Sequence, residues 1–168
     1  SDLIDIGVNS LKIEGRMKSI HYIATVVNTY RKLIDNICDE KDLDLPKYLL
    51  EIKKAENRLT SHGFMEGMTT INEQLYNMRS ENPTQEFIGI VMDYDEETNI
   101  ATIEQRNFFE PEDHVEIFSP NFDNLKFVIE EIRDVDGNIL DAARHPKQVL
   151  KVFVPVKVSK YDMIRKIK

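Results

Sequence analysis

One short apolar run, Ser10-Leu-Lys-Ile-Glu-Gly-Arg16, ends on a glycine and leads straight into a long amphipathic stretch. Strand, glycine, helix is a βα unit, and the sequence holds no second one. A parallel strand needs parallel neighbours, which repeated βα crossovers supply. A lone unit cannot build such a sheet, so this one reads as the tail of a larger protein. On that reading most of the chemistry lies upstream of residue 1.

The 168 residues suffice for one domain or two small ones with a real core. No apolar run approaches the roughly 20 residues that span a bilayer, so no membrane partner is expected. Cys38 is the single cysteine, which excludes a disulfide framework and a cysteine-rich metal site within the chain and points to the cytoplasm. The net charge of −8 is uneven. From Arg144 to Lys168, eight Lys and Arg stand against Asp162 alone, so that segment is +7 and residues 1–143 carry −15. An acidic bulk argues against nucleic-acid binding by the whole surface, while the basic tail allows a local contact. Strand alternation explains the same pattern, with lysines outward and Val152, Val154, Val156 and Val158 inward.

Three regions separate. In residues 1–40, Ile20, Ile23, Val27, Tyr30, Ile34 and Ile37 recur at steps of three and four and predict a helix over Met17–Cys38 with one apolar stripe. Residues 41–83 read as a helical connector. A helix over Leu45–Leu59, with Pro46 in its first turn, turns Tyr48, Leu49, Ile52 and Ala55 inward. Gly63 and Gly67 then mark a loop, Ile71–Met78 adds a helical turn, and Ser80–Thr84 forms a linker. Residues 84–168 are β in character. Phe87–Tyr94 and Asn99–Gln105 form a hairpin, His114–Phe118 alternates, and Lys126–Val135 and Asn138–Ala142 flank the two-residue turn signal Asp136-Gly137. Val149–Val158 carries Pro155, which marks an edge or bulge, and Tyr161–Ile167 is a last strand. The fold expected is α+β: a helical segment left from an α/β barrel, then a small closed or nearly closed antiparallel β-barrel.

Chemistry is sparse. There is no phosphate-binding loop, dinucleotide fingerprint, His-Glu-x-x-His or Gly-x-Ser-x-Gly. His21, His62, His114 and His145 are scattered without ligand spacing. Cys38 lies beside Asp39 and Glu40, whose charges oppose a reactive thiolate. The acidic run Asp93, Asp95, Glu96, Glu97 lacks the spacing of a calcium loop and reads as a solvated turn. Glu14 and Arg16 differ. They sit where a barrel strand would end, the face that carries active sites in complete α/β barrels. Within an intact barrel they are candidate catalytic residues; in this chain alone they are expected to pair with each other.

The run Ser10-Leu-Lys-Ile-Glu-Gly-Arg16-Met-Lys-Ser19, followed by Tyr22-Ile-Ala-Thr25 and Tyr30-Arg-Lys32, resembles the end of the catalytic domain of the collagenase-like peptidase family U-32. Asn57-Arg58 with Gly63-Phe64 and Gly67 resembles its connecting loop. Glu104-Gln-Arg-Asn107 and Val115-Glu-Ile-Phe-Ser-Pro120 resemble its C-terminal domain. Many relatives have Gly-Asp where this chain has Glu112-Asp113, which implies a different turn there. The family's cysteine cluster, associated with an iron–sulfur centre, has no counterpart here, so no cofactor is expected in this chain. The resemblance implies a peptidase of unclassified mechanism, or a protein supporting hydroxylation of tRNA or rRNA bases.

Two functions follow as expectations. In one, the β domain is a non-catalytic module that presents RNA or a polypeptide to an upstream catalytic domain. Its contact face would be Arg106, Phe108, Phe109, Lys151, Lys157, Lys160 and Arg165, with cations on phosphates and aromatics stacking bases. In the other it is a structural domain that docks on that barrel or makes a homo-oligomer, with the N-terminal helix as the seam. Peptide cleavage by this chain itself lacks an activated nucleophile, a metal set and a paired acid and base.

Overall fold

The computed structural model describes residues 2–55, 63–65, 67–71 and 85–167, and the chain divides into two compact units, Ser1–Pro83 and Thr84–Lys168. The first contains α1 (Asp2–Asp5), α2 (Ile20–Cys38) and α3 (Leu45–Lys53). The strand expected over Ser10–Arg16 does not form. Residues 10–15 are irregular, Arg16 lies in a turn, and all except Gly15 are exposed. A parallel strand without a neighbour has nothing to satisfy its backbone but water. Gly15 itself lies close to α2, where an added Cβ would come within 2.9 Å of Ile23 Cγ1.

Helix α2 begins three residues later than expected because Ser19 caps it, its hydroxyl accepting the Tyr22 N–H at 3.1 Å. The buried face also differs from the one expected. Val26, which with Leu33 widens the expected stripe, is buried, and Leu33, Ile34 and Ile37 are half-buried; but His21, Thr25 and Thr29 are buried too, whereas Ile20, Ile23, Val27 and Tyr30 are exposed, Ile20 by 47 %. Two contacts within the helix serve polar groups of the buried face: Thr29 Oγ1 donates to the Thr25 carbonyl at 2.6 Å, and Thr25 Oγ1 lies 3.5 Å from His21 Nε2. Helix α3 packs on α2, with Asn36 Nδ2 donating to the Tyr48 hydroxyl at 2.5 Å. Tyr48, Ile52 and Ala55 are half-buried, but Leu49 is exposed, against expectation. Helix α3 ends at Lys53, with Lys54 as its C-cap and Ala55 in a turn, short of the expected Leu59; residues 56–59, most of the helical turn to Met78 and the linker to Thr84 fall outside the described residues. Among those described, no helix is long and apolar enough to cross a membrane.

The second unit is an eight-stranded antiparallel sheet: β1 (Gln85–Asp95), β2 (Ile100–Gln105), β3 (His114–Phe118), β4 (Leu125–Val128), β5 (Ile132–Arg133), β6 (Ile139–Leu140), β7 (Val149–Phe153) and β8 (Met163–Ile167). Their order in space is β4-β3-β8-β1-β2-β7-β5-β6. The sheet curls around a core that includes Ile88, Ile103, Phe109, Ile117, Leu150 and Ile164, all wholly buried. Curling follows from β1, which pairs with both β2 and β8 and shifts register on each side, at Val91/Asp93 and at Phe87/Gly89. Such bulges bend a strand and increase its twist.

The unit is a half-barrel rather than a closed barrel, because β4 and β6 remain edges. The run Lys126–Val135 is not one strand but two. Ile129, wholly buried, donates its N–H to the Asp113 carbonyl at 3.0 Å and accepts the Glu112 N–H at 2.8 Å. Beyond it the chain leaves β3, and β5 pairs with β6 and β7. The β5–β6 hairpin forms where expected but with a longer loop: Asp134 N–H bonds the Asn138 carbonyl at 3.0 Å, and Gly137 takes φ +92°. That is a three-residue loop whose left-handed position glycine fills without strain. The Asn138 side chain, then the backbone N–H groups around the turn, hold the Asp134 carboxyl below the usual carboxylate range. The turn at Glu112-Asp113 does not depart as expected from what glycine would allow, since Glu112 adopts φ +70°. Strand β7 stops before Pro155, yet Val152, Val154 and Val158 point inward as expected and Val156 packs beside them. The acidic run is a turn: Asp95 accepts from Glu97 N–H at 2.9 Å and the Thr98 hydroxyl at 2.7 Å.

Candidate nucleic-acid interface

Two loops, residues 106–110 and 141–148, converge beside the end of β2. Phe109 and Ala143 exchange backbone hydrogen bonds at 3.4 and 2.8 Å. Gln105 donates its N–H to the Gln148 carbonyl at 2.8 Å and accepts the Lys147 N–H at 2.9 Å. Its side-chain Nε2 donates to the Ala143 carbonyl at 3.2 Å. These bonds fix the loops to each other and to the sheet. Successive residues of an extended segment face opposite ways, so one of the two phenylalanines must turn in. Phe109 does, and is wholly buried; Phe108 faces out and is 42 % exposed.

The Arg144 guanidinium lies 5.7 Å from the Phe108 ring centroid, within range of a cation–π contact. It also reaches Asp141 Oδ2 at 2.5 Å, and that hydrogen bond holds the Asp141 carboxyl below the usual carboxylate range. Arg106 pairs with Glu104 at 2.6 Å. Lys147 and His145 are exposed on the same loop, and Lys147 takes φ +65°. Beneath this surface Gln105 Oε1 and Gln148 Oε1 are buried without a hydrogen-bond partner among the described residues. A buried acceptor left unmet costs about 1–3 kcal/mol, and neither oxygen is open to a ligand at the surface. The exposed ring and the cations beside it together suit a planar, anionic chain.

The sequence-expected residues do not form one face. Arg106 and Phe108 belong to the loop site. Phe109 is core, and Arg165 is wholly buried against Glu116, its Nε donating to Glu116 Oε2 at 2.7 Å with the Phe118 ring 4.5 Å away. Neither can touch a phosphate or a base at the surface, which corrects their assignment to the contact face. Lys151, on the outer side of β7 and in register with Arg133, donates to the Val135 carbonyl at 3.2 Å. Lys157 pairs with Glu96 in the β1–β2 turn. It is therefore separated from Arg106 by the length of β2, roughly 17–20 Å at a strand's rise. Lys160 lies 5.2 Å from the centroid of the neighbouring Tyr161 ring. In the first unit Glu14 pairs with Lys12 at 2.8 Å rather than with Arg16. Arg144 and Lys147, which sequence reasoning placed only in the basic tail, are the cations that join Arg106 and Phe108.

Among the described residues no group of three or more His, Cys, Asp or Glu could hold a metal ion. Cys38 is exposed and is the chain's single cysteine. That donor set does not fit an iron–sulfur cluster, which is held by several thiolates.

Comparison with known proteins agrees with the two-unit division. Residues 1–75 match the description of peptidase family U32, and residues 83–165 match the peptidase family U32 C-terminal domain. The chain is 47 % identical over 166 residues to tRNA hydroxylation protein P1 of Bacillus subtilis, which covers 98 % of this chain and 39 % of that protein. It is 31 % identical over 156 residues to tRNA hydroxylation protein P of Escherichia coli, covering 92 % of this chain and 33 % of that one. The chain thus spans between a third and two-fifths of the length of these relatives. The crystal structure of the C-terminal domain of a Geobacillus thermoleovorans U32 peptidase is 53 % identical, with a TM-score of 0.48, and covers 49 % of this chain and 93 % of that one. With both of its units matched in the family's order, the chain belongs to peptidase family U32.

Proposed function

We propose that the β unit is a non-catalytic RNA-positioning module, and that the loop pair 106–110 and 141–148 is its contact face. The single observation that carries this reading is the outward Phe108 ring under the Arg144 guanidinium, on two loops fixed by backbone bonds. An exposed aromatic ring offers a base a stacking surface, and adjacent cations take the phosphates. Two of the three cations already have carboxylate partners, Arg106 with Glu104 and Arg144 with Asp141. Affinity therefore rests on stacking more than on charge. The naming of relatives as tRNA hydroxylation proteins supports RNA over a polypeptide as the occupant, and a cytoplasmic site of action goes with that substrate.

The first unit has a different task in this reading. Val26 is its one buried apolar residue among those described, while Ile6, Met17, Phe64, Met68 and Ile71 are each more than 70 % exposed. So much uncovered apolar surface marks an interface. It docks on the catalytic part of the longer protein, and a homo-oligomer through α2 is the competing use of the same face. Photo-cross-linking the 168-residue chain to a 4-thiouridine-containing tRNA transcript tests the proposal. Cross-linked peptides should fall in residues 106–109 and 141–148. Cross-links confined to residues 1–55, or none, refute it.

A further inference from the structure

Tyr161 is held in a conformation that a bulky side chain rarely adopts, and its ring is left in solvent. Its φ is +76°, in the left-handed region, and the residue is 67 % exposed. The backbone around it is fixed from several sides. The Tyr161 N–H donates to the Val91 carbonyl at 2.8 Å, and the Val91 N–H donates to the Asp162 carbonyl at 2.9 Å. Asp162, itself 3 % exposed, closes the turn by accepting the Ser159 N–H on Oδ2 at 2.8 Å. Glycine would fill this position without strain, and an aromatic residue gains no burial there. Strain maintained by surrounding bonds at an exposed side chain is the pattern of a functional position. Lys160 sits with Nζ 5.2 Å from the ring centroid, so an aromatic plane and a cation are presented together, as at Phe108 and Arg144.

We infer that Tyr161 is a second stacking platform of the β unit, taking one nucleobase on its ring with Lys160 at the adjoining phosphate. The inference rests on the RNA reading of the Phe108 loops, and it adds a binding residue that lies outside them. The ring does the stacking; the hydroxyl is dispensable.

Three variants of the 168-residue chain test this: Tyr161→Gly, Tyr161→Phe and Phe108→Ala. Each is titrated into a fluorescein-labelled tRNA transcript and melted by circular dichroism. Tyr161→Gly should weaken binding by roughly 5- to 100-fold, the usual loss of one base–aromatic stack. The same variant should raise the melting temperature by about 2–6 °C through relief of the left-handed strain. Tyr161→Phe should bind within about twofold of the parent, since every base stacks on a π-face. Unchanged RNA affinity in Tyr161→Gly overturns the inference, as does a lowered melting temperature, which makes the ring structural. If Phe108→Ala loses affinity while Tyr161→Gly keeps it, the RNA reading stands and this inference falls. Absence of RNA binding by the parent chain overturns both.

Discussion

Glu116→Ala should destabilise the β unit by about 3–5 kcal/mol, the usual result of stranding one partner of a buried ion pair. Arg165 is wholly buried and Glu116 nearly so, on paired positions of β3 and β8. Without the carboxylate, the guanidinium keeps the Phe118 ring but loses its counter-charge in a place water cannot reach. With a urea slope of about 1–1.5 kcal/mol/M for a unit this small, the midpoint should fall by at least about 2 M. The double variant Glu116→Met/Arg165→Met removes both charges and should recover most of that loss, since a buried pair and an apolar replacement of similar volume are close in energy. A single variant within about 0.5 kcal/mol of the parent, the range of ordinary surface changes, would mean that Arg165 lies at the surface after all.

Phe109→Ala and Phe108→Ala, neighbours in sequence, should part company. Phe109 is wholly buried among core strands, and its truncation should cost about 3–5 kcal/mol of stability. Phe108 is 42 % exposed, so Phe108→Ala should change stability by less than about 1 kcal/mol while weakening tRNA binding by roughly 5- to 100-fold. Urea denaturation and RNA titration of both variants separate the two effects. Equal losses of stability would place both rings in the core and remove the stacking surface from the loop.

How far the sequence anticipates this molecule depends on whether the deciding contact is local. Alternation over His114–Phe118 fixes β3 to the residue, because Val115 and Ile117 must share the core face. The Asp136-Gly137 signal finds its hairpin, since a left-handed glycine is a local need. The Lys126–Val135 run gives no sign of its break, because the cause is Ile129 bonding to Asp113 on another segment. The apolar stripe of α2 is visible in the periodicity, but periodicity does not supply the surface that would cover it, and the helix buries its His21–Thr29 side instead. At the candidate site, residue types pointed to Arg106 and Phe108. Nothing local separates Phe108 from Phe109, and charge alone sent Arg165 to the surface although its partner Glu116 is 49 residues away. Arg144 and Lys147 reach the site only because the 141–148 loop folds back onto Gln105 and Phe109.

The most direct measurement of the RNA-positioning claim is the salt dependence of tRNA binding by the 168-residue chain and its Lys147→Glu variant. Contact with two or three phosphates gives a slope of about −1.4 to −2.1 in log K against log salt. Removing the Lys147 contact should flatten it by about 0.7 and weaken binding at low salt. Identical slopes for parent and variant, or no tRNA binding at low salt, would contradict the account.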